Sequence, residues 1–402
     1  MTVRKSARRE VQVILGLFAL SMLILTGCGV AQATDVAVTA DPTAIPAASS
    51  TVTPMPSPTD TPIPTSTATP TTTPSPTVTA TPTPTPTYPL MIEVMREQDY
   101  PGSDLVIEET LSPGMNYDRY VVSYLSEGLK IYALLTVPQG EKPETGWPVI
   151  VFNHGHITPD LYRTTERYVA YQDAFARNGY ITIKPDYRGH GSSEGEPSNP
   201  RSSPDYTVDV LNALASVQRY PDADPDRVGM WGHSMGGDIT LRAMVVSDEI
   251  KAGVIWAGTS ASNEAWLTRW RGFSFASGWA SESNADDTPR RPRREDRLAE
   301  VYGSFEENRG FWDSIDPTAH LDELSGPLQL HHSTTDETVP VGFSEDLYAL
   351  LEETDVAHKT DVGHEMYIYE GDNHNLSAGF GTAMAHSIGF FDEYVKGVVV
   401  GE

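Results

Sequence analysis

Arg227-Val228-Gly229-Met230-Trp231-Gly232-His233-Ser234-Met235-Gly236-Gly237 is the stretch that decides the fold. An apolar run ends in Gly-x-Ser-x-Gly, and a helical-looking stretch continues from it to Val246. At a junction between strand and helix this pattern makes a tight turn. Side chains two positions before or after the serine would collide with neighbouring chain, so both are glycine, and the serine oxygen is thrust outward. Ser234 is therefore the first candidate nucleophile. Met235 follows it as the first residue of the helix and offers an N–H at the positive helix end. Because the pentapeptide alone is common, the surrounding chain has to supply its partners.

Working outward, strands are expected at 121–125 and 129–137, joined by Ser126-Glu127-Gly128, and at 147–152, 180–185, 252–256, 328–331 and 366–369. Helices are expected at 164–177, 205–218, 343–351 and 386–395. Continuous apolar runs such as 147–152 suit strands buried on both faces. Alternating strands and helices imply an α/β fold with a mostly parallel, doubly wound sheet, whose functional loops lie at the carboxyl ends of the strands. The segment 259–324 breaks the alternation and reads as a cap inserted over the site. It holds Trp266, Trp270, Phe273, Phe275, Trp279, Phe311 and Trp312, read mostly as the cap's own core. Its Arg290, Arg291, Arg293 and Arg294 read as a solvated loop paired with Glu295 and Asp296.

A serine hydroxyl needs a base to take its proton, and the base needs an acid to fix its tautomer. Behind an elbow of this kind the chain order is Ser, then Asp or Glu, then His. Asp336 lies in Ser333-Thr334-Thr335-Asp336-Glu337-Thr338-Val339-Pro340, and His374 in Gly371-Asp372-Asn373-His374-Asn375, each just after an expected strand. His331 and His332 lie in or at the end of a strand and read as packing residues. His364 precedes its strand and His386 falls within the last helix, which leaves His374 as the base. Glu337 and Asp361 compete with Asp336 for the acid; Asp336 is preferred because it comes first after the strand and before a Val-Pro turn. The oxyanion of acyl transfer requires N–H donors already aimed at it. Met235 and the loop Asn153-His154-Gly155-His156 meet that need, with the His156 N–H preferred and Ile157 as its alternate. His154 and His233 read as structural. No group of ligands has zinc spacing and no Gly-x-Gly-x-x-Gly follows a strand, so neither metal nor cofactor is expected.

A formal net charge of -27 over 402 residues argues against a nucleic-acid partner, which needs a basic face. At the N-terminus, Arg4, Lys5, Arg8 and Arg9 precede an apolar run of signal-peptide length, Val11 to Leu25, which ends in Leu25-Thr26-Gly27-Cys28. Cys28 is the sole cysteine, so no disulfide forms within the chain. The segment resembles a bacterial lipoprotein signal. That resemblance implies removal of residues 1–27 and lipid attachment at Cys28, which would hold the chain at the outer face of the bacterial cell membrane; an uncleaved anchor is the alternative. Residues 28–89 read as a Thr/Pro-rich stalk that cannot bury a core, and residues 90–402 as the catalytic domain.

Val149 to Gly155, Asp186-Tyr187-Arg188-Gly189-His190-Gly191-Ser192-Ser193, Gly232 to Gly236, Asp336 to Pro340 and Gly371 to His374 occur in that order. Together they resemble the catalytic domain of the prolyl oligopeptidase family within the α/β-hydrolases, over roughly the last three quarters of the chain. The resemblance implies an α/β-hydrolase fold, a triad of Ser234, Asp336 and His374 working through an acyl-enzyme, and a small-molecule ester or peptide substrate. This chain departs from the pattern twice. The span from Leu90 to Trp147 is too short for the β-propeller that precedes the peptidase members, and the usual His-Gly-Gly loop is His154-Gly155-His156. Both departures move weight toward an esterase related to dienelactone hydrolases. A non-catalytic surface binding protein on a hydrolase scaffold would account for an anchor and stalk, but not for all three triad positions.

Overall fold

The computed structural model describes residues 87–269, 294–360 and 362–398. The expected signal segment, Cys28, almost all of the expected stalk, Asp361, and Trp270 through Arg293 of the expected cap lie outside the described residues.

Among the described residues, a short helix α1 (Ile92–Arg96) precedes nine strands that form one sheet in the order β1-β2-β3-β5-β4-β6-β7-β8-β9. The antiparallel part is β1 (Val106–Leu111), β2 (Tyr117–Ser126) and β3 (Leu129–Pro138), with β3 also antiparallel to β5 (Ile181–Pro185). Glu127 and Gly128, with φ of 50° and 83°, make the two-residue turn between β2 and β3 whose backbone twist matches the strands. The remaining pairs are parallel: β5 with β4 (Trp147–Asn153), β4 with β6 (Ala223–His233), then β7 (Ala252–Trp256), β8 (Leu328–Ser333) and β9 (Glu365–Tyr369).

Alternation along the central strands splits the core into two layers. Val149 and Val151 of β4 and Met230 of β6 face Val210, Leu214, Ile239 and Met244, carried by α3 (Asp205–Gln218) and α4 (Met235–Val246). Ile150, Phe152 and Trp231 face the other way, against Phe175 of α2 (Val169–Arg177) and Phe390 and Phe391 of α9 (Phe380–Tyr394). Each such side chain, fully removed from water, contributes about 1.5–3 kcal/mol, which is why β4 and β7 are apolar without alternation. All six strands expected after residue 128 are present, with ends shifted by a residue or two.

Four expectations need correction. The helix expected from Thr164 begins only at Val169, because Arg167 and Tyr168 take left-handed conformations with φ of 55° and 51°. The last helix begins at Phe380, not His386, since Asp372 accepts hydrogen bonds from the N–H groups of Ala378 and Gly379 and starts it early. Tyr88, read as stalk, packs its ring on Tyr302 and Phe311 and donates its hydroxyl to the carbonyl of Ser202. The described part of the insertion after β7 holds α5 (Asn263–Leu267), α6 (Arg294–Tyr302), α7 (Arg309–Ser314) and a 3-10 turn at Pro317–Glu323. Phe311 and Trp312 are buried there with Leu298, Ile315 and Leu90, so this small core is shared between the insertion and the segment that precedes the sheet, and is not the insertion's own as expected. The last long helix before β9 is α8 (Gly342–His358).

Candidate active site

The turn from β6 to α4 is as sharp as its glycines require. A Cβ on Gly232 would fall 2.2 Å from the carbonyl oxygen of Gly236, and one on Gly236 would fall 2.1 Å from that of Asn153. Ser234 takes φ 55° and ψ -119°, a strained backbone for a residue with a side chain. The surroundings hold it there. Its N–H donates to the carbonyl of Trp256, and its carbonyl accepts from the N–H groups of Gly237 and Thr259. Ser234 is half-buried while its four neighbours in the pentapeptide are buried, so its side chain is the one this turn presents.

The loops after β8 and β9 bring Asp336 and His374 together, with the Nδ1 of His374 2.8 Å from the Oδ2 of Asp336. The carboxylate's other oxygen accepts from the N–H groups of Thr338 and Val339, both at 2.8 Å. Burial alone would raise the Asp336 carboxyl. Hydrogen bonds from His332 and His374, the charge of His374 and the Val339 N–H outweigh it and hold the group well below the usual carboxylate range. The side chains of Ser333 and Thr335 donate to the carbonyl of Asp372 and tie the two loops to each other. His374 is fixed by its backbone as well. Its N–H donates to Glu337 at 3.1 Å, and its carbonyl lies 3.0 Å from the Nε2 of His233, the residue before the serine.

Two of these contacts escape sequence reading. His332, expected only to pack, is fully buried and places its Nε2 3.1 Å from the same Asp336 oxygen that meets His374. Glu337, weighed as a rival acid, holds the His374 backbone instead. A carboxylate four residues after a strand-terminal histidine was the available signal, but such spacing is ordinary in turns. The other histidines sit as expected: His331 is buried against Tyr367 and Tyr369, His364 accepts from the Leu328 N–H at the start of the strand, and His386 lies within α9.

The loop after β4 runs beside the serine, since a Cβ on Gly155 would fall 3.1 Å from that of Ser234. His154 is fully buried, stacked between Tyr162 and Tyr187 at 4.7 and 4.2 Å, with Nδ1 on the carbonyl of Gly155. Burial drives its pKa well below the ordinary value, so the ring stays neutral and serves as a brace. His156 is half-buried next in the loop, and Met235 opens α4, where the helix dipole favours negative charge. The Asp186 to Ser193 segment is braced separately. Arg188 forms a bidentate pair with the buried Asp209, and Asp186 accepts from Tyr162 and Thr164. Among the described residues, Glu93, His320 and Glu323 bring possible metal-ligand atoms together, but Arg96 already pairs with both glutamates.

Residues 148–287 match the family model described as serine aminopeptidase, S33. The chain is 27% identical over 150 residues to the uncharacterized peptidase YtmA of Bacillus subtilis, covering 37% of this chain and 54% of that one. Among solved structures it resembles the acylaminoacyl peptidase of Pyrococcus horikoshii, with TM-score 0.52 and 22% identity, covering 72% of this chain and 44% of that one. It also resembles the acetyl xylan esterase of Paenibacillus sp. R4, with TM-score 0.52 and 18% identity, covering 74% of this chain and 92% of that one. The chain thus spans about half the length of the curated peptidase it matches. It has the α/β-hydrolase fold, and the proteins it resembles include peptidases and an esterase.

Proposed function

We propose that the chain cleaves an ester or amide bond through an acyl-enzyme. Ser234 attacks the carbonyl, His374 takes its proton and returns it to the leaving group, and Asp336 holds His374 in the tautomer whose Nε2 can accept that proton. The N–H groups of Met235 and His156 receive the oxyanion. Water then repeats the sequence and frees the acyl group. The observation that carries this reading is the 2.8 Å contact between His374 and the buried carboxylate of Asp336, in loops bonded to the residue that precedes Ser234. A fluorophosphonate should label the wild-type protein and leave Ser234→Ala unlabelled; label retained by the variant would sink the assignment.

Both peptidases and an esterase are among the similar proteins, and one feature of this chain favours small acyl substrates. Residues 106–138 are strands of the hydrolase sheet itself, so the span from Leu90 to Trp147 holds no propeller that would sieve peptides. The insertion 259–324 acts as the cap that shapes the acyl pocket. Residues 28–87 act as a stalk on a lipid anchor at Cys28, on the strength of the apolar run and the small residues before the cysteine. Cells fed an alkynyl fatty acid should incorporate it into the wild type, while Cys28→Ser should lose the tag and leave the membrane fraction. A tag that survives the substitution would overturn the anchor.

A further inference from the structure

Three loops from distant parts of the chain must keep register for the proposed chemistry: the loop after β4 with His156, the elbow, and the loop with His374. One continuous set of hydrogen bonds crosses all three. The Gly155 N–H donates to the Tyr168 hydroxyl at 3.0 Å, the hydroxyl meets the Nδ1 of His233 at 2.8 Å, and the Nε2 of His233 meets the carbonyl of His374 at 3.0 Å.

The direction of each bond follows from its end groups. A carbonyl only accepts, so the Nε2 of His233 carries the proton. Burial, followed by the nearby charge of His374, pushes His233 down to about 3, so the ring is neutral and its Nδ1 must accept. The Tyr168 hydroxyl is therefore the donor to Nδ1 and the acceptor for Gly155. Burial pushes that hydroxyl well above the usual phenol range, so it keeps its proton. Every donor is used once and no group is left in conflict.

The backbone bears a cost to put the hydroxyl there. Arg167 and Tyr168 are consecutive left-handed residues with side chains, a conformation that persists only where the surroundings over-determine it. The Tyr168 ring is wedged against Phe152, Tyr171 and Trp231, which sets the height of the hydroxyl over the elbow. Gly155 closes the gap, since a Cβ there would fall 2.7 Å from that hydroxyl.

We propose that Tyr168 and His233 are positioning residues that lock the loop carrying His156 to the loop carrying His374 across the nucleophile elbow. This rests on the serine hydrolase reading given above. The His233 ring packs on that of His374 at 4.6 Å between centroids but is given no proton to transfer; the pair sets the distance between the oxyanion donor and the base.

The test uses the full chain, a p-nitrophenyl ester and active-site titration. Tyr168→Phe keeps the ring and removes only the hydroxyl, so it should fold, with a melting temperature lowered by a few degrees because the Gly155 N–H and the Nδ1 of His233 lose their partner. Its kcat per titrated site should fall about 10- to 100-fold at a KM within about twofold, the size of loss that a small misplacement of reacting groups produces. His233→Gln, whose amide nitrogen can still reach the His374 carbonyl, should retain more activity than His233→Leu. The double variant with Tyr168→Phe and His233→Leu should be no slower than His233→Leu alone, because both break one chain of bonds. Full kcat per titrated site in Tyr168→Phe, or losses that multiply in the double variant, would overturn the proposal. So would imidazole 15N NMR of wild type or Ser234→Ala that places the His233 proton on Nδ1, a readout that needs no turnover. A wild type that neither takes a fluorophosphonate nor cleaves esters sinks the hydrolase reading, whereas an active wild type with a fully active Tyr168→Phe sinks only the brace.

Discussion

Replacing Ser234 or His374 with alanine is expected to lower kcat on a p-nitrophenyl ester by on the order of 10^6-fold, and replacing both should cost scarcely more than either alone. The proton removed from the serine has nowhere to go without the imidazole, and the imidazole has nothing to activate without the serine. Losing one member therefore forfeits the whole nucleophilic route. The N–H donors of Met235 and His156 remain in each variant, so all three proteins should keep the same residual rate above the uncatalysed reaction. Rates measured for the two single variants and the double variant under one set of conditions check this. Losses that multiply would mean that Ser234 and His374 act in separate steps, against the triad.

Asp336→Asn should lower kcat by about 10^4-fold with the fold intact. In the native protein both oxygens of Asp336 accept, one from the N–H groups of Thr338 and Val339 and the other from His374 and His332. An asparagine offers one accepting oxygen, and the backbone donors claim it. Its amide nitrogen then faces the Nδ1 of His374 as a donor and turns the imidazole to the tautomer that cannot take the serine's proton. The same change has a pH signature in stability. A carboxyl held low in the folded state contributes stability that is present above its unfolded value of about 3.9 and is lost as pH falls through the folded value. The difference in unfolding free energy between wild type and Asp336→Asn should therefore shrink as urea titrations move from about pH 5 down toward pH 2. A difference that stays constant over that window would mean that the carboxylate is not held by these donors.

Much of this was legible from local chemistry. The glycines around Ser234 and the apolar runs of β4 and β7 depend on neighbours a few positions away, and the elbow and strands follow from them. Helix starts were less secure where a distant partner overrides local preference: Tyr168 is pulled out of helical conformation by groups at Gly155 and His233, and nothing in residues 164–168 announces it. The strand β1 escaped for a related reason. Its outward-facing Glu108 and Glu109 give no alternation to detect, and it exists because the edge of β2 offers it a ladder.

By itself the sequence determined the α/β alternation, the turn that presents Ser234, and the presence of Asp336 and His374 behind it, because period and turn chemistry are properties of adjacent residues. Only the tertiary structure decided that His332 shares the Asp336 oxygen, that Glu337 holds a backbone and does not replace the acid, and that His233 joins the loop of His374 to that of His156. Those are choices among hydrogen-bonding partners separated by as many as 141 positions, made when burial removes water as the competing partner.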